Sequence, residues 1–183
     1  MNPLRIRCAN YRSFRDLDLT LPTGTLAILG ANGAGKSSVV NAIELALFGP
    51  PSRNLGDYLS DDATDDLMVE LEFEHRGGLY RARRSYSAGG RGSAKLDFEQ
   101  ARTEIGGAPD APTHWEGWEP MTRETAAATQ QLIEDTIGLS RATFRASAFL
   151  AQGDGAAFTE ASPRDRKSIL AECVGLAQWD VLH

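Results

Sequence analysis

Cysteine is scarce: Cys8 and Cys173 lie far apart with no Cys-x-x-Cys spacing, and His75, His114 and His183 form no cluster along the sequence. A disulfide scaffold and a zinc site are thereby set aside, and a reducing compartment is expected. No stretch nears the roughly 20 apolar residues that a bilayer span needs. The opening MNPLRIRCANYRSF lacks the unbroken apolar core of a signal peptide. The expectation is a cytoplasmic protein with no membrane role, associated with the nucleoid if bacterial. A basic excess is missing as well: 19 Lys+Arg against 25 Asp+Glu leave a net charge of −6, which argues against a protein that coats nucleic acid. No internal repeat is visible.

What is present suffices for one domain. The 183 residues are 42% hydrophobic, ordinary for a globular protein with a core. Charge is unevenly placed. Residues 54–74 hold eight acids and no Lys or Arg, whereas residues 75–102 hold seven basic residues against Asp97 and Glu99. A solvated hairpin and a phosphate-binding face both fit that basic stretch.

Leu4, Ile6 and Cys8 alternate with Arg5 and Arg7, and Leu17, Leu19 and Leu21 with Asp18 and Thr20, the period of half-buried strands. After the turn signal Pro22-Thr23-Gly24, the apolar run Leu26-Ala27-Ile28-Leu29 has no polar face, which predicts a central strand covered on both sides. Helical spacing of Val40, Ile43 and Leu47 predicts a helix from Ser37 to Phe48, ended by Gly49-Pro50-Pro51. Alternation at Val69-Glu-Leu-Glu-Phe73, a turn at Gly77-Gly78, the run from Leu79 to Tyr86 and a further piece around Leu96 and Phe98 predict an antiparallel meander at about 67–100. Residues 103–121 read as a long surface excursion holding Trp115 and Trp118, for which packing is the commoner role of an indole than service as a ligand platform. Helical signals return at 123–137, ending at Gly138, and from Ser162, an N-cap candidate followed by Pro163, to about Gly175.

The string Gly30-Ala-Asn-Gly33-Ala-Gly35-Lys36-Ser37 satisfies G-x-x-x-x-G-K-[ST] at every defined position, between an apolar run and a helix. The chemistry follows from the residue types. Small residues let main-chain N–H groups turn inward around phosphates, and the helix N-terminus adds positive potential. Lys36 supplies a mobile cation for the β and γ phosphates, and Ser37 a hydroxyl for the Mg²⁺ that bridges them. ATP with Mg²⁺ is the expected ligand. A glycine turn that matches by chance is the bland alternative.

The combination of Asn10-Tyr11-Arg12-Ser13-Phe14, the loop GANGAGKSS, Asn41-Ala42-Ile43 and Leu47-Phe48-Gly49 resembles SbcC and its Rad-fifty relatives, ABC-type ATPases of double-strand-break repair. Gln152-Gly153, Phe158, Ser162-Pro163, Arg166-Lys167, Leu170 and Gly175-Leu176 look like that family's Q-loop and the helix leading to its coiled coil. The resemblance implies an α/β fold, the N-terminal lobe of an ABC-type P-loop ATPase head. It would occupy residues 1–175, with the meander at about 67–100, a helical section at about 122–175, and 176–183 as the start of a truncated coiled-coil helix. It also implies that Arg12 reaches the nucleotide phosphates, and that Asn32, Gly33, Ala34, Gly35, Lys36, Ser37 and Ser38 wrap the triphosphate. Gln152 would complete the Mg²⁺ shell with Ser37; its neutral amide can accept on one side and donate on the other. Ser60, Asp61 and Asp62 fall where relatives close a loop over the nucleotide. Arg81 and Arg83, in Tyr80-Arg-Ala-Arg83-Arg84, share one strand face, where pairing with the acids of residues 69–74 and contact with DNA are both open.

Two motifs of an ABC head are missing from the sequence. Tyr86-Ser-Ala-Gly-Gly90 mimics a signature motif but reads as a hairpin turn, and Leu132-Ile133-Glu134-Asp135 lies in a helical pattern, not in a Walker B strand. No catalytic residue is therefore expected here, and ATP turnover by this stretch alone should be weak. The resemblance supplies the implied partners: its own C-terminal ATPase lobe, a second head in a homodimer, an SbcD-like nuclease and double-stranded DNA. A structural-maintenance-of-chromosomes head, a RecF-like head, a nucleotide-regulated scaffold and a stand-alone P-loop kinase are the competing readings. The Ala46-Leu47-Phe48-Gly49 run is closer to the SbcC pattern than to the first of these, and the last lacks a recognisable acceptor site and lid.

Overall fold

The computed structural model describes residues 1–51, 54–60, 66–87, 92–102, 117–147 and 162–173. They form two compact units, Met1–Ile133 and Glu134–His183. In the first, strands β1 (Asn2–Tyr11), β2 (Phe14–Thr20), β3 (Leu67–His75), β4 (Gly78–Ser87), β5 (Ser93–Ala101) and β6 (Trp118–Pro120) make one antiparallel sheet in the order β2-β1-β3-β4-β5-β6. The opening hairpin and the meander are thus one sheet, joined where β1 pairs with β3, Ile6 opposite Leu71 and Cys8 opposite Val69.

The period of two sorts this sheet into an apolar and a charged face. Ile6, Cys8, Val69, Leu71, Phe73, Ala82 and Phe98 are buried on one side, against which helix α1 (Lys36–Phe48) lies. Arg84, opposite Val69, belongs to the same face. Its Nε donates to Ala46 O at 3.0 Å and its Nη2 to Leu47 O at 3.2 Å, satisfying carbonyls in the last turn of α1, and Nη2 also reaches Gln130 Oε1. At the end of β1 the alternation changes phase. Asn10 has φ 50, so Tyr11 and not Asn10 enters the core.

On the opposite face two rows of alternating sign cross the strands: Asp18, Arg7, Glu70, Arg83, Asp97, and then Arg5, Glu72, Arg81, Glu99. Glu70 is ion-paired to Arg7, and Arg81 Nη2 lies 2.6 Å from Glu99. The Arg81 guanidinium also covers the ring of Trp118 at 4.3 Å. Of the two uses open to Arg81 and Arg83, the structure has the pairing with acids, and Trp118 packs. Trp115 lies outside the described residues.

Three expectations need correction. No strand forms at residues 26–29: the segment 21–31 has no regular structure, and Leu26 is 42% and Leu29 89% exposed. Apolarity alone does not make a strand, since ladder hydrogen bonds need a neighbour and none of the described segments pairs with residues 26–29. Residues 118–120, expected within the surface excursion, are the edge strand β6. The helix expected from 123 is α2 (Ala126–Ile137), preceded by Thr125, whose Oγ1 accepts from the Ala128 N–H at 3.1 Å.

The second unit holds α3 (Arg141–Ser147), which periodicity does not reveal, packed on α4 (Pro163–Cys173). Ser162 caps α4 as its sequence suggests: its Oγ accepts from the Asp165 N–H at 3.2 Å. Among the described residues no helix is long and apolar enough to cross a membrane. The segment expected to begin a coiled coil, 176–183, lies outside them.

Candidate functional site

The phosphate loop forms because two of its glycines take a backbone that other residues resist. Gly33 has φ 83 and Gly35 φ 89. Gly35 is doubly required, since a Cβ there would stand 2.6 Å from Phe14 Cζ and 2.9 Å from Ser13 Oγ. The β1–β2 turn therefore lies directly on the loop. Within the loop the Ala34 N–H donates to Ala31 O at 3.2 Å, and α1 starts as Ser38 and Val39 donate to Gly35 O.

The first amides of a helix have no intrahelical acceptor, and no side chain caps α1, whose N-cap is Gly35. A 13-residue helix thus offers its positive end outward. Lys36 Nζ donates to Gly30 O at 2.8 Å and Ala31 O at 2.7 Å, so the ammonium is bent back across the loop. Asn32, Gly33, Ala34 and Ser37 are exposed; Gly35, Lys36 and Ser38 are half-buried. These features fit a polyphosphate: a loop of small residues turned by two left-handed glycines, an uncapped helix start and a cation held by neutral carbonyls that phosphate oxygens can replace. Ser37 places its hydroxyl on the first turn, where a hard divalent cation held by oxygens fits. Gln152, the other expected Mg²⁺ contact, lies outside the described residues.

Arg12 occupies the turn beside the loop, with φ 50. Its N–H donates to Tyr58 O at 2.8 Å, and its carbonyl accepts from Ser60 Oγ at 2.6 Å. Its guanidinium lies 5.2 Å from the Tyr58 ring centroid and 5.6 Å from that of Tyr11, and these two rings stack 6.1 Å apart at 6°. Ser60, singled out by the resemblance, is thus brought to Arg12; Asp61 and Asp62 are not among the described residues. Burial pushes the Tyr11 phenol upward, opposed by the nearby Arg12 charge, and pushes the Cys8 thiol up to about 12. Cys8 is thereby an inert core residue. Among the described residues no group of His, Cys, Asp and Glu assembles into a metal cluster.

Two contributors escape sequence reasoning. Tyr58 sits in a 3-10 turn (Leu55–Tyr58) within an acidic stretch of no period, and Arg84 stands in the same basic run as Arg81 and Arg83. For Arg84 a signal exists: its parity places it on the face of Ala82, opposite to its two basic neighbours.

Comparison with known proteins agrees with this geometry. The family model described as "AAA domain" matches residues 5–178. The "DNA double-strand break repair Rad50 ATPase" of Methanocaldococcus jannaschii is 30% identical over 175 residues, covering 96% of this chain and 15% of its own length. The SbcC component of the nuclease SbcCD of Deinococcus radiodurans is 32% identical over 185 residues, covering 97% of this chain and 19% of its own. The chain therefore spans less than a fifth of these relatives. A solved structure described under ATP-driven dimerization and DNA stimulated activation of SMC ATPases superposes with TM-score 0.61 at 19% identity, covering 94% of this chain and 99% of that one. At that identity the likeness concerns the fold, an α/β P-loop ATPase lobe.

Proposed function

Because the chain belongs to the AAA domain family, in the group of the Rad50 and SbcC ATPases, we propose that it is the ATP-gripping half of a DNA-repair ATPase head. The observation that carries this reading is the phosphate loop on the uncapped start of α1, with Lys36 bent across its carbonyls. In this reading the Lys36 ammonium exchanges the carbonyls of Gly30 and Ala31 for phosphate oxygens. Asn32, Gly33, Ala34, Gly35, Lys36, Ser37 and Ser38 wrap the polyphosphate, and Arg12 faces it from the neighbouring turn. Ser37 and Gln152 would hold Mg²⁺, which would supply neutralisation of phosphate charge.

Water activation needs a positioned base, and this sequence has no Walker B carboxylates to supply one. A C-terminal lobe of the same head completes the site. The exposed apolar residues Leu26 and Leu29 support that assignment, because a strand supplied by such a lobe would cover them and give residues 26–29 their ladder. A signature motif from a second head would then cap ATP, so that ATP favours the closed homodimer. Regulation of an SbcD-like nuclease on double-stranded DNA is the further step of this reading; the names its relatives bear speak of double-strand-break repair and of a nuclease complex.

Calorimetry of the intact protein with Mg-ATP tests this. Lys36→Ala should weaken binding at least about tenfold, the scale of a charge-assisted contact. Unchanged affinity would overturn the site. Brisk hydrolysis by this chain alone, abolished by Lys36→Ala, would overturn its dependence on a second lobe.

A further inference from the structure

We propose that Tyr58 is a positioning residue that holds the Arg12 guanidinium ready for phosphate, an inference resting on the reading of Arg12 as a phosphate-facing group. Arginine side chains on surface turns sample many rotamers, and ordering one on ligand arrival lowers affinity. Here both ends of that freedom are restricted. The main chain of Arg12 is fixed on each side by the 58–60 segment: its N–H donates to Tyr58 O, its carbonyl accepts from Ser60 Oγ, and the Ser60 N–H donates to Asn10 O at 2.9 Å.

Tyr11 and Leu59 add a β-bridge between the same two segments. The side chain then lies over two parallel aromatic faces. Tyr11 is wholly buried and belongs to the core, whereas Tyr58 is half-buried. Tyr58 is thus the member whose ring can be altered without opening the core. The turn it steadies is the one whose next residues, Ser13 and Phe14, lie against Gly35, so the main chain of Arg12 adjoins the phosphate loop. A stack needs the ring face and not the phenol oxygen, because cation–π attraction arises from the ring quadrupole.

Binding of ATP and ADP to the intact protein is the test, with four variants: Tyr58→Leu, Tyr58→Phe, Arg12→Ala and the double variant Arg12→Ala/Tyr58→Leu. Tyr58→Leu should weaken ATP binding about threefold to fivefold, and ADP less, while Tyr58→Phe stays within about twofold of the parent. In the Arg12→Ala background Tyr58→Leu should add no further loss, the signature of a residue acting through its partner. A loss of equal size in that background, or a Phe variant as weak as the Leu variant, would overturn the proposal and leave Tyr58 a packing residue. Lys36→Ala in the same titration keeps the two levels apart. If it binds as the parent does, the phosphate site itself is wrong and the Tyr58 role falls with it. If it abolishes binding while the cycle is additive, only the Tyr58 role falls.

Discussion

Strands β1, β3, β4 and β5 each have a neighbour on both sides, and they combine an apolar face packed on α1 with a charged face on which acids and arginines pair. From residue 22 to residue 31 the chain has no strand pairing, and Leu29 is 89% exposed where Leu71 is 0%. Both stretches are similarly apolar, so hydrophobicity does not separate them; the presence of neighbours does. The sheet draws its stability from within this chain, whereas the nucleotide segment has a formed loop but an uncovered run leading into it. Substitutions in the first region should therefore act on folding, and those in the second on assembly and ligand binding.

The largest effect expected from that contrast is at Phe73, fully buried and stacked 5.6 Å from Tyr80. Phe73→Ala should cost about 3–5 kcal/mol in urea unfolding. Leu29→Ala should change stability by less than about 0.5 kcal/mol, while Leu29→Glu should lose co-purification with the proposed C-terminal lobe. A Leu29 variant as unstable as the Phe73 variant would erase the distinction between the two regions.

Arg84 sharpens the comparison, because it ties the sheet to the far end of the helix whose start carries the phosphate loop. Arg84→Met removes the side-chain donor of Ala46 O and one of the two donors of Leu47 O, which keeps Gln130 Nε2 at 3.1 Å, and should cost about 1–3 kcal/mol. The neighbouring Arg83, with a side chain 37% exposed and partners at 3.6–3.8 Å, should lose less than about 1 kcal/mol on the same change. Parallel denaturation curves for the two variants decide it: equal losses would mean that strand parity does not set the role of these arginines.

That same parity explains what is legible in the sequence. Strands β1 to β5 announce themselves through a period of two, and α1 through Val40, Ile43 and Leu47 closed by Gly49, since local chemistry sets both. The phosphate loop is equally local. Periodicity measures apolarity and is blind to whether a ladder partner exists, so it predicts a covered strand at residues 26–29 where none forms. It is also blind to joins made at long range. The pairing of β1 with β3 spans about 60 positions, and the Tyr58 stack on Arg12 about 45. The seven residues of α3 are too few to show a helical period.

The smallest effect lies within the charged face, at two glutamates only two residues apart on β3. Glu70 sits near Arg7, Arg81 and Arg83. Glu72 reaches Arg7 at 3.6 Å, but its Oε2 is buried with no hydrogen-bond partner. Burial raises the Glu72 carboxyl above its ordinary range, with Arg7 opposing and Glu70 adding to the rise. A carboxyl whose folded pKa exceeds its unfolded one binds its proton more tightly when folded. Its contribution to stability is full below the unfolded value, near 4.5, and is lost as pH climbs through the higher folded value. The ionised form of Glu72 is therefore the costlier one in the folded protein. Glu72→Gln should leave stability at pH 7 unchanged or raise it by up to about 1 kcal/mol, and should flatten the decline above pH 4.5. Arg5, Arg7 and Arg81 would each keep another acid, Asp18, Glu70 and Glu99 respectively. Glu70→Gln strips several arginines of a shared partner and should destabilise at pH 7. Urea midpoints for both variants across pH 4–7.5 test this, and a Glu72 variant as weakened as the Glu70 variant at pH 7 would show that the desolvation of Glu72 is fully repaid by its arginines.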